Sequence, residues 1–411
     1  MTADILPDSP QRARARNRRL VLDVVRREGA ITRSHLRSIV NLSKTAVKEI
    51  CDGLVADDLL EEFMPPASER KQGRPALSLR VSGKHGDVLG IDIGADKVIA
   101  RSATLAGTTI RTRELRTRRE KPGREYLLGL VEKAVDAVCE PGRTAAEMFL
   151  TVVVSTPGVV DPQTHRVSLA PQIVGWDGID VQAAVADRLG LVRERVFVER
   201  QTDLSIQAES AAGAARGIAD LLYVQLGIGI GGALLTNGRL FRGWVGAAGE
   251  LGYLPHDFGD ESPRGSGIGP WEWAAGGRAW ARHGRTAALE RGGGRLLALA
   301  DGVAEDVDAE VGFRSVKEND PAALDVFSRL THRIAVGVAS AICVFNPECV
   351  LIAGGLSNGG DLLIDALREQ ITPLVPVMPQ IRLAAFGGES CVVGAVHKAC
   401  QRALDILNPL P

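Results

Sequence analysis

Aromatic residues are scarce, 4% of 411, so the interior must be built from aliphatic side chains. Cysteine is scarce too. Cys51, Cys139, Cys343, Cys349, Cys391 and Cys400 are scattered, with no CxxC pair, which excludes a disulfide scaffold and reads as reduced, mostly buried thiols. No run approaches the roughly 18–20 apolar residues of a membrane span, and the start lacks the apolar segment of a signal peptide, so a cytoplasmic chain without a membrane partner is expected. Charge of one sign is also missing. With 49 Lys plus Arg against 50 Asp plus Glu, the net charge is −1, and nothing pulls the whole molecule toward nucleic acid or lipid.

The local balance differs. Residues 1–85 carry 16 Lys plus Arg against 11 Asp plus Glu, whereas the remainder carries 33 against 39. A small basic head thus precedes a mildly acidic body, and 411 residues are enough for two or three domains.

In the head, Leu20, Val21, Val24 and Val25 predict the inner face of a helix over 16–28, stopped at Gly29. Thr32 can cap a second helix with Leu36, Ile39 and Val40 inward. After a tight turn through Asn41 and Leu42, Ser43 can cap a third, with Val47, Ile50, Cys51 and Leu54 inward and Lys44, Thr45 and Lys48 outward. Two short helices joined by a tight turn, the second cationic near its start, can put side chains into a major groove. Strands over 59–64 and 76–81 would form a hairpin wing. Its tip holds Arg70, Lys71 and Arg74, and Gly73 and Pro75 hold Arg74 on an extended backbone suited to a phosphate or a narrow minor groove. Arg33 joins Ser43, Lys44, Thr45, Lys48 and the wing cations as candidate DNA contacts. The alternative is a basic module for protein contacts, with 12–19 a solvated helix face.

In the body, apolar runs at 88–93 and 98–103 flank a turn containing Gly94, and a similar unit recurs about 130 residues later, at 222–226 and 233–235 around Gly227, Gly229, Gly231 and Gly232. Two such hairpins suggest a duplicated α/β body whose glycine turns face a cleft between two lobes. Gly354 and Gly355 follow a strand at 349–353 and precede a helix from Asp361, at a strand end where α/β folds place ligands. Each glycine can equally serve a tight turn.

These pieces together resemble the repressor, open reading frame and kinase (ROK) family. The carriers are the head ending in Gly73-Arg74-Pro75, GIDIGADK (90–97), STPGVVD (155–161), GIGIGG (227–232), GAAGELGYLP (246–255) and AGG (353–355). The resemblance implies an α/β fold: a winged helix-turn-helix over 1–85, then a two-lobed actin-like domain with lobes over 86–205 and 206–411, the C-terminal helix returning to the first. It also implies a sugar site in the cleft and, with the head present, a homodimeric or homotetrameric regulator of carbohydrate genes, a repressor by expectation.

The departures are as informative. The first turn carries Ala95 and Asp96 where family kinases have glycine and threonine, so a negative charge stands where a phosphate would sit. In the second turn Ile228 replaces a hydroxyl donor. The family's Asn-Asp pair falls on Arg200 and Gln201, and an amide cannot accept the hydroxyl proton in phosphoryl transfer; Asp203 is a weaker substitute. The family's zinc cluster falls on Tyr253 and on 263–270, which lack Cys and His, and His256 alone cannot make a site of about four ligands. No catalytic residue, cofactor or metal is therefore expected.

By the resemblance, Glu250 and Glu272 accept hydrogen bonds from sugar hydroxyls, unless they are ordinary surface carboxylates. Tyr253 offers a ring for a sugar face, and Gly158 a close backbone approach. Arg200, where the family has Asn, either selects an anionic effector such as a sugar phosphate or pairs internally with Glu199, Asp203 or another acid. Gln201 completes the candidate effector set. The leading expectation is a regulator that binds a double-stranded operator under control of a sugar or sugar derivative. The alternatives are an active sugar kinase with an attached head and a ligand-independent DNA-binding protein.

Overall fold

The computed structural model describes residues 10–65, 77–117, 122–259, 267–290 and 294–409. The head comprises α1 (Pro10–Glu28), β1 (Ile31–Thr32), α2 (Arg33–Val40), α3 (Lys44–Ala56), β2 (Leu60–Phe63) and β3 (Ser78–Val81), the strands ordered β1-β3-β2 and antiparallel. Both caps form: the Thr32 hydroxyl accepts from His35 N and the Ser43 hydroxyl from Ala46 N. Asn41, at φ 51°, turns the chain out of α2, a left-handed position that Asn tolerates. The head interior is Val21, Leu22, Val24, Val25, Leu36, Val40, Val47, Cys51 and Leu54. Helical spacing had also turned Leu20 and Ile39 inward, but they are 41% and 37% exposed, and α1 starts at Pro10 rather than at residue 16.

The first body sheet has the order β10-β7-β4-β5-β6. Strands β4 (Asp87–Ile93), β5 (Lys97–Ala103) and β6 (Thr109–Arg116) form an antiparallel meander, while β7 (Phe149–Thr156) and β10 (Val196–Arg200) run parallel to β4. Helices α4 (Arg124–Asp136), α5 (Ala145–Met148) and α6 (Val181–Leu189) pack against it, and β8 (Val159–Val160) pairs with β9 (Val167–Ser168) beyond the end of β7. The parallel strands bury both faces, hence the run 149–154, apolar except for Thr151, whose hydroxyl donates to the Ala399 carbonyl.

Helix α7 (Gln201–Ala212) starts where β10 ends and leads to the second sheet, ordered β13-β12-β11-β14-β15. Its strands are β11 (Leu221–Leu226), β12 (Ile230–Thr236), β13 (Arg239–Leu240), β14 (Cys349–Ala353) and β15 (Gln380–Leu383). Helices α8 (Pro270–Ala275), α9 (Gly277–Glu290), α10 (Gly294–Ala298), α11 (Ala309–Lys317), α12 (Pro321–Phe345) and α13 (Asp361–Ile371) belong to the same unit. Its few aromatics are concentrated at helix contacts. Trp280 stacks on Phe313 at 4.8 Å, and Trp271 lies so close to α12 that a Cβ on Gly337 would come within 2.0 Å of its ring.

The last helix, α14 (Ser390–Leu407), packs on β4, β7 and α7. Two glycines allow the approach: a Cβ on Gly90 would lie 2.9 Å from Val396, and one on Gly394 2.1 Å from the Leu204 carbonyl. The opposite side of α14 carries the head. Arg18 Nε donates to Asn408 Oδ1 at 2.7 Å, Arg19 Nη2 to the Gln401 carbonyl at 3.2 Å, and Arg26 Nη2 to His397 Nε2 at 2.9 Å. Burial pushes the His397 pKa down to about 3, so the ring stays neutral and its Nε2 can accept. Val21, Leu22, Val24 and Val25 share one apolar cluster with Ala395, Ala399, Ala403 and Leu404. Among the described residues no helix is long and apolar enough to cross a membrane.

Candidate effector cleft and nucleic-acid interface

Four chain segments meet at the start of α7: the end of β4, the β11–β12 turn, the 3-10 turn Leu251–Tyr253 and the first turn of α8. Gln201 donates its amide to Asp92 Oδ1 at 3.0 Å and to the Ile93 carbonyl at 3.3 Å. Asp92 is buried, and burial raises its pKa against the pull of the Gln201 bond. The residue at the family's base position is therefore a neutral donor tied to another carboxylate.

Arg200 is 4% exposed. Its Nε and Nη2 donate to Asp203 Oδ1 at 3.2 and 2.9 Å, Nη1 to Glu250 Oε1 at 3.0 Å, and Nη2 also to the Gly232 and Ala248 carbonyls at 3.1 and 2.7 Å. Of the two readings open for Arg200, this geometry is that of internal pairing, with Asp203 and Glu250 as the acids. Asp203 also meets Arg242 Nε at 3.3 Å, so it is held between two guanidiniums. Burial raises the pKa of Asp203 and of Glu250, and in both Arg200 opposes the rise.

Glu272 is fixed by the backbone: its Oε2 accepts from Ile230 N at 3.2 Å, and burial raises its pKa. Tyr253 donates to the Gly267 carbonyl at 2.5 Å and remains 39% exposed. Burial raises its pKa, and so do the nearby charges of Glu250 and Glu272. Glu250, Tyr253 and Glu272 thus lie near enough for their charges to act on one another, with Arg200 bonded to Glu250. Gly158 has a packing role. Its φ is +85°, and a Cβ would lie 2.4 Å from the Ser168 carbonyl, so its lack of a side chain seats β9 against β8.

The glycine turns are occupied by the protein itself. Gly227 N donates to the Gly229 carbonyl at 2.9 Å, and the Gly227 carbonyl accepts from Gly277 N at 2.8 Å. A Cβ on Gly354 would lie 2.5 Å from the Leu226 carbonyl, so that glycine lets β14 close on β11. Asp96 and Ile228 are both exposed at their turns. Among the described residues no three His, Cys, Asp or Glu side chains cluster as a metal site would require. His256 packs near the rings of Phe258 and Trp271, and burial lowers its pKa.

On the head, Lys44, Thr45 and Lys48 are exposed over the first turns of α3, behind the Ser43 cap. The unsatisfied amides and positive dipole end of a helix start favour a phosphate there. Arg37, on α2, is also exposed; an isolated arginine gives no local signal in the sequence. Arg33 departs from the expectation of a DNA contact: it pairs with Asp52 at 2.7 Å and Glu62 at 2.8 Å, stapling α2 to α3 and β2. Arg70, Lys71 and Arg74 lie outside the described residues.

The sequence profile of the ROK family matches residues 88–401. The chain belongs to the ROK family. It is 24% identical over 387 residues to a putative xylose repressor of Caldicellulosiruptor sp. (strain Rt8B.4), covering 92% of this chain and 94% of that one. A glucokinase of Streptomyces coelicolor is 28% identical over 323 residues, 76% of this chain and 98% of the kinase. Among solved structures, a ROK family transcriptional regulator described as a homologue of the E. coli MLC protein superposes with a TM-score of 0.76 at 21% identity, covering 97% of this chain and 99% of that one. The ROK fold, an α/β two-lobed actin-like body behind a winged helix-turn-helix, accounts for the whole described chain.

Proposed function

We propose that this ROK protein is a DNA-binding transcription regulator, acting as a repressor of carbohydrate genes, whose cleft binds a sugar or sugar derivative without phosphorylating it. The observation that carries the reading is the condition of the cleft carboxylates. Asp92 is tied to Gln201, Asp203 lies between Arg200 and Arg242, Glu250 accepts from Arg200, and Glu272 accepts a backbone amide. None is left as a free general base beside a hydroxyl, which phosphoryl transfer requires. The similarities agree in extent: the repressor relative and the regulator structure align over the head as well as the body, while the glucokinase aligns over 76% of the chain.

In this reading Glu250 and Glu272 accept sugar hydroxyls and Tyr253 stacks on a sugar face, with Arg200 and Gln201 fixing the carboxylates around them. Ser43, Lys44, Thr45 and Lys48 address the operator from α3, and Arg70, Lys71 and Arg74 from the wing. Pairing of two heads in a homodimer or homotetramer would give α14 something to act on, because it joins α7, at the cleft, to α1, in the head. A ligand shifts that arrangement only by binding its two states unequally.

The glucokinase similarity keeps an active kinase as the second reading. Two assays on the full chain separate them. Sequencing of genomic fragments retained by the purified protein, with and without pentoses and hexoses, should return a discrete operator. Coupled ADP release across the same sugars should stay at the ATPase background, and turnover at an enzyme-like rate would reverse the assignment.

A further inference from the structure

We propose a second ligand site that adjoins the sugar cleft and shares Arg200 and Asp203 with it: a pocket for a small multiply charged oxyanion, a phosphate or the phosphoryl group of an ester, between β10, the segment after β13 and α14. The pocket has a volume of about 210 Å³ and is walled by Phe197 and Glu199 of β10, His165, Arg242, and Lys398 and Arg402 of α14. That volume is below the few hundred Å³ typical of drug-sized ligands and suits an ion or a phosphoryl group rather than a whole disaccharide.

The charge is unbalanced in the required sense. The walls hold the cations Arg200, Arg242, Lys398 and Arg402 against the anions Glu199 and Asp203. Adding Glu250, which is bonded to Arg200, still leaves one positive charge uncompensated. Glu199 is shared, accepting from Arg242 at 2.6 Å and lying 4.0 Å from Lys398 Nζ. Arg402 is not fully paired among the described residues. Its guanidinium lies 4.7 Å from the Phe197 ring centre, and its Nε is buried without a hydrogen-bond partner. A buried, unsatisfied N–H of a permanently charged group is costly unless something accepts from it, and the planar guanidinium fork matches phosphate geometry. Burial also lowers the Lys398 pKa; Glu199 and, more weakly, Asp405 oppose this, and Arg402 and Arg242 add to it. A bound dianion would relieve that repulsion.

The location gives the site a consequence. Lys398 and Arg402 alternate along α14 with His397, Gln401 and Asp405, which bind Arg26 and Arg19 of the head helix. The anion would therefore fasten β10 and the Arg242 segment to the helix on which the head rests.

The test needs neither DNA nor a known effector, so it stands or falls separately from the regulator assignment. The full chain is titrated calorimetrically with inorganic phosphate, with glucose 6-phosphate and with glucose. Saturable binding of phosphate or of the ester is expected, weakened by about ten- to a hundredfold in Arg402→Gln and in Lys398→Gln, each of which removes one charge-assisted contact. Lys398→Gln keeps the test open should loss of the Phe197 stack unfold the Arg402 variant. Binding of phosphate assigns the free ion, and binding of the ester alone assigns a phosphosugar. Absence of saturable binding by either, or unchanged affinity in both variants, overturns the proposal.

Discussion

Replacing Arg200 by Met, which keeps much of the side chain's apolar volume and removes its charge, tests whether the guanidinium holds the cleft together. In the native chain this one group binds both Asp203 and Glu250 and donates to two backbone carbonyls. Without it Asp203 keeps a single cation, Arg242 at 3.3 Å, and Glu250 keeps none of its present partner bonds. Removing one member of a buried ion pair typically costs about 3–5 kcal/mol, because the stranded charge remains desolvated. Against a typical total stability of about 5–15 kcal/mol that is a large loss. Urea unfolding followed by tryptophan fluorescence reads it, with Trp176 reporting on the first sheet unit and Trp271 and Trp280 on the second. The loss should depend on pH. Burial already raises the Asp203 and Glu250 pKa values, and without Arg200 they rise further. Because each carboxyl binds its proton more tightly folded than unfolded, the variant loses stability as pH rises through the raised values and recovers it as pH falls below the ordinary carboxylate range. An unfolding free energy within about 1 kcal/mol of the parent at neutral pH, beyond which only named mechanisms usually carry a mutant, would refute the reasoning.

Gln201→Asp, which restores the family residue, should not restore phosphorylation, because Asp96 and Ile228 still stand at the two phosphate turns; it should also destabilise the fold, since Asp92 is the present partner of Gln201 and two carboxylates about 4 Å apart repel by about 4 kcal/mol at an effective dielectric near 20. Coupled ADP release should stay at background, and the stability deficit should shrink at low pH. Lys48→Ala should weaken operator binding and reduce the salt slope of log affinity by about one, whereas Arg33→Ala, which breaks the Asp52 and Glu62 staple, should lower the melting temperature of the head and leave that slope unchanged; anisotropy titrations at several salt concentrations separate the two. Gly337→Ala should cost about 1–3 kcal/mol by overpacking, because its Cβ would overlap Trp271, and should perturb the fluorescence of that residue.

Local chemistry made much of this legible in advance. The caps at Thr32 and Ser43, the paired hairpins of the body and the strand at 349–353 followed by a helix from Asp361 all rest on signals contained within a few residues. What stayed hidden depends on neighbours distant in sequence. Leu22 rather than Leu20 faces inward because α1 is buried against α14 as well as within the head, so its inner face was placed one-sidedly. Arg33 looked like a groove cation until its partners Asp52 and Glu62 came from two other elements. In the cleft, the sequence identified the substitutions at 200 and 201, but only the geometry distinguished a guanidinium waiting for an anion from one already bound to Asp203 and Glu250. Gly158 shows the same dependence, since the reason its side chain is missing lies in Ser168 of β9, whose carbonyl a Cβ would meet.

The most direct measurement of the central claim is fluorescence anisotropy of a labelled operator fragment titrated with the purified chain, with and without each neutral sugar of a pentose and hexose panel. The account predicts that at least one sugar changes operator affinity by fivefold or more, roughly 1 kcal/mol of coupling, and that Glu250→Gln removes the effect while leaving sugar-free DNA binding intact. Operator affinity indifferent to every sugar, together with ADP formation at an enzyme-like rate in the presence of one of them, would contradict it.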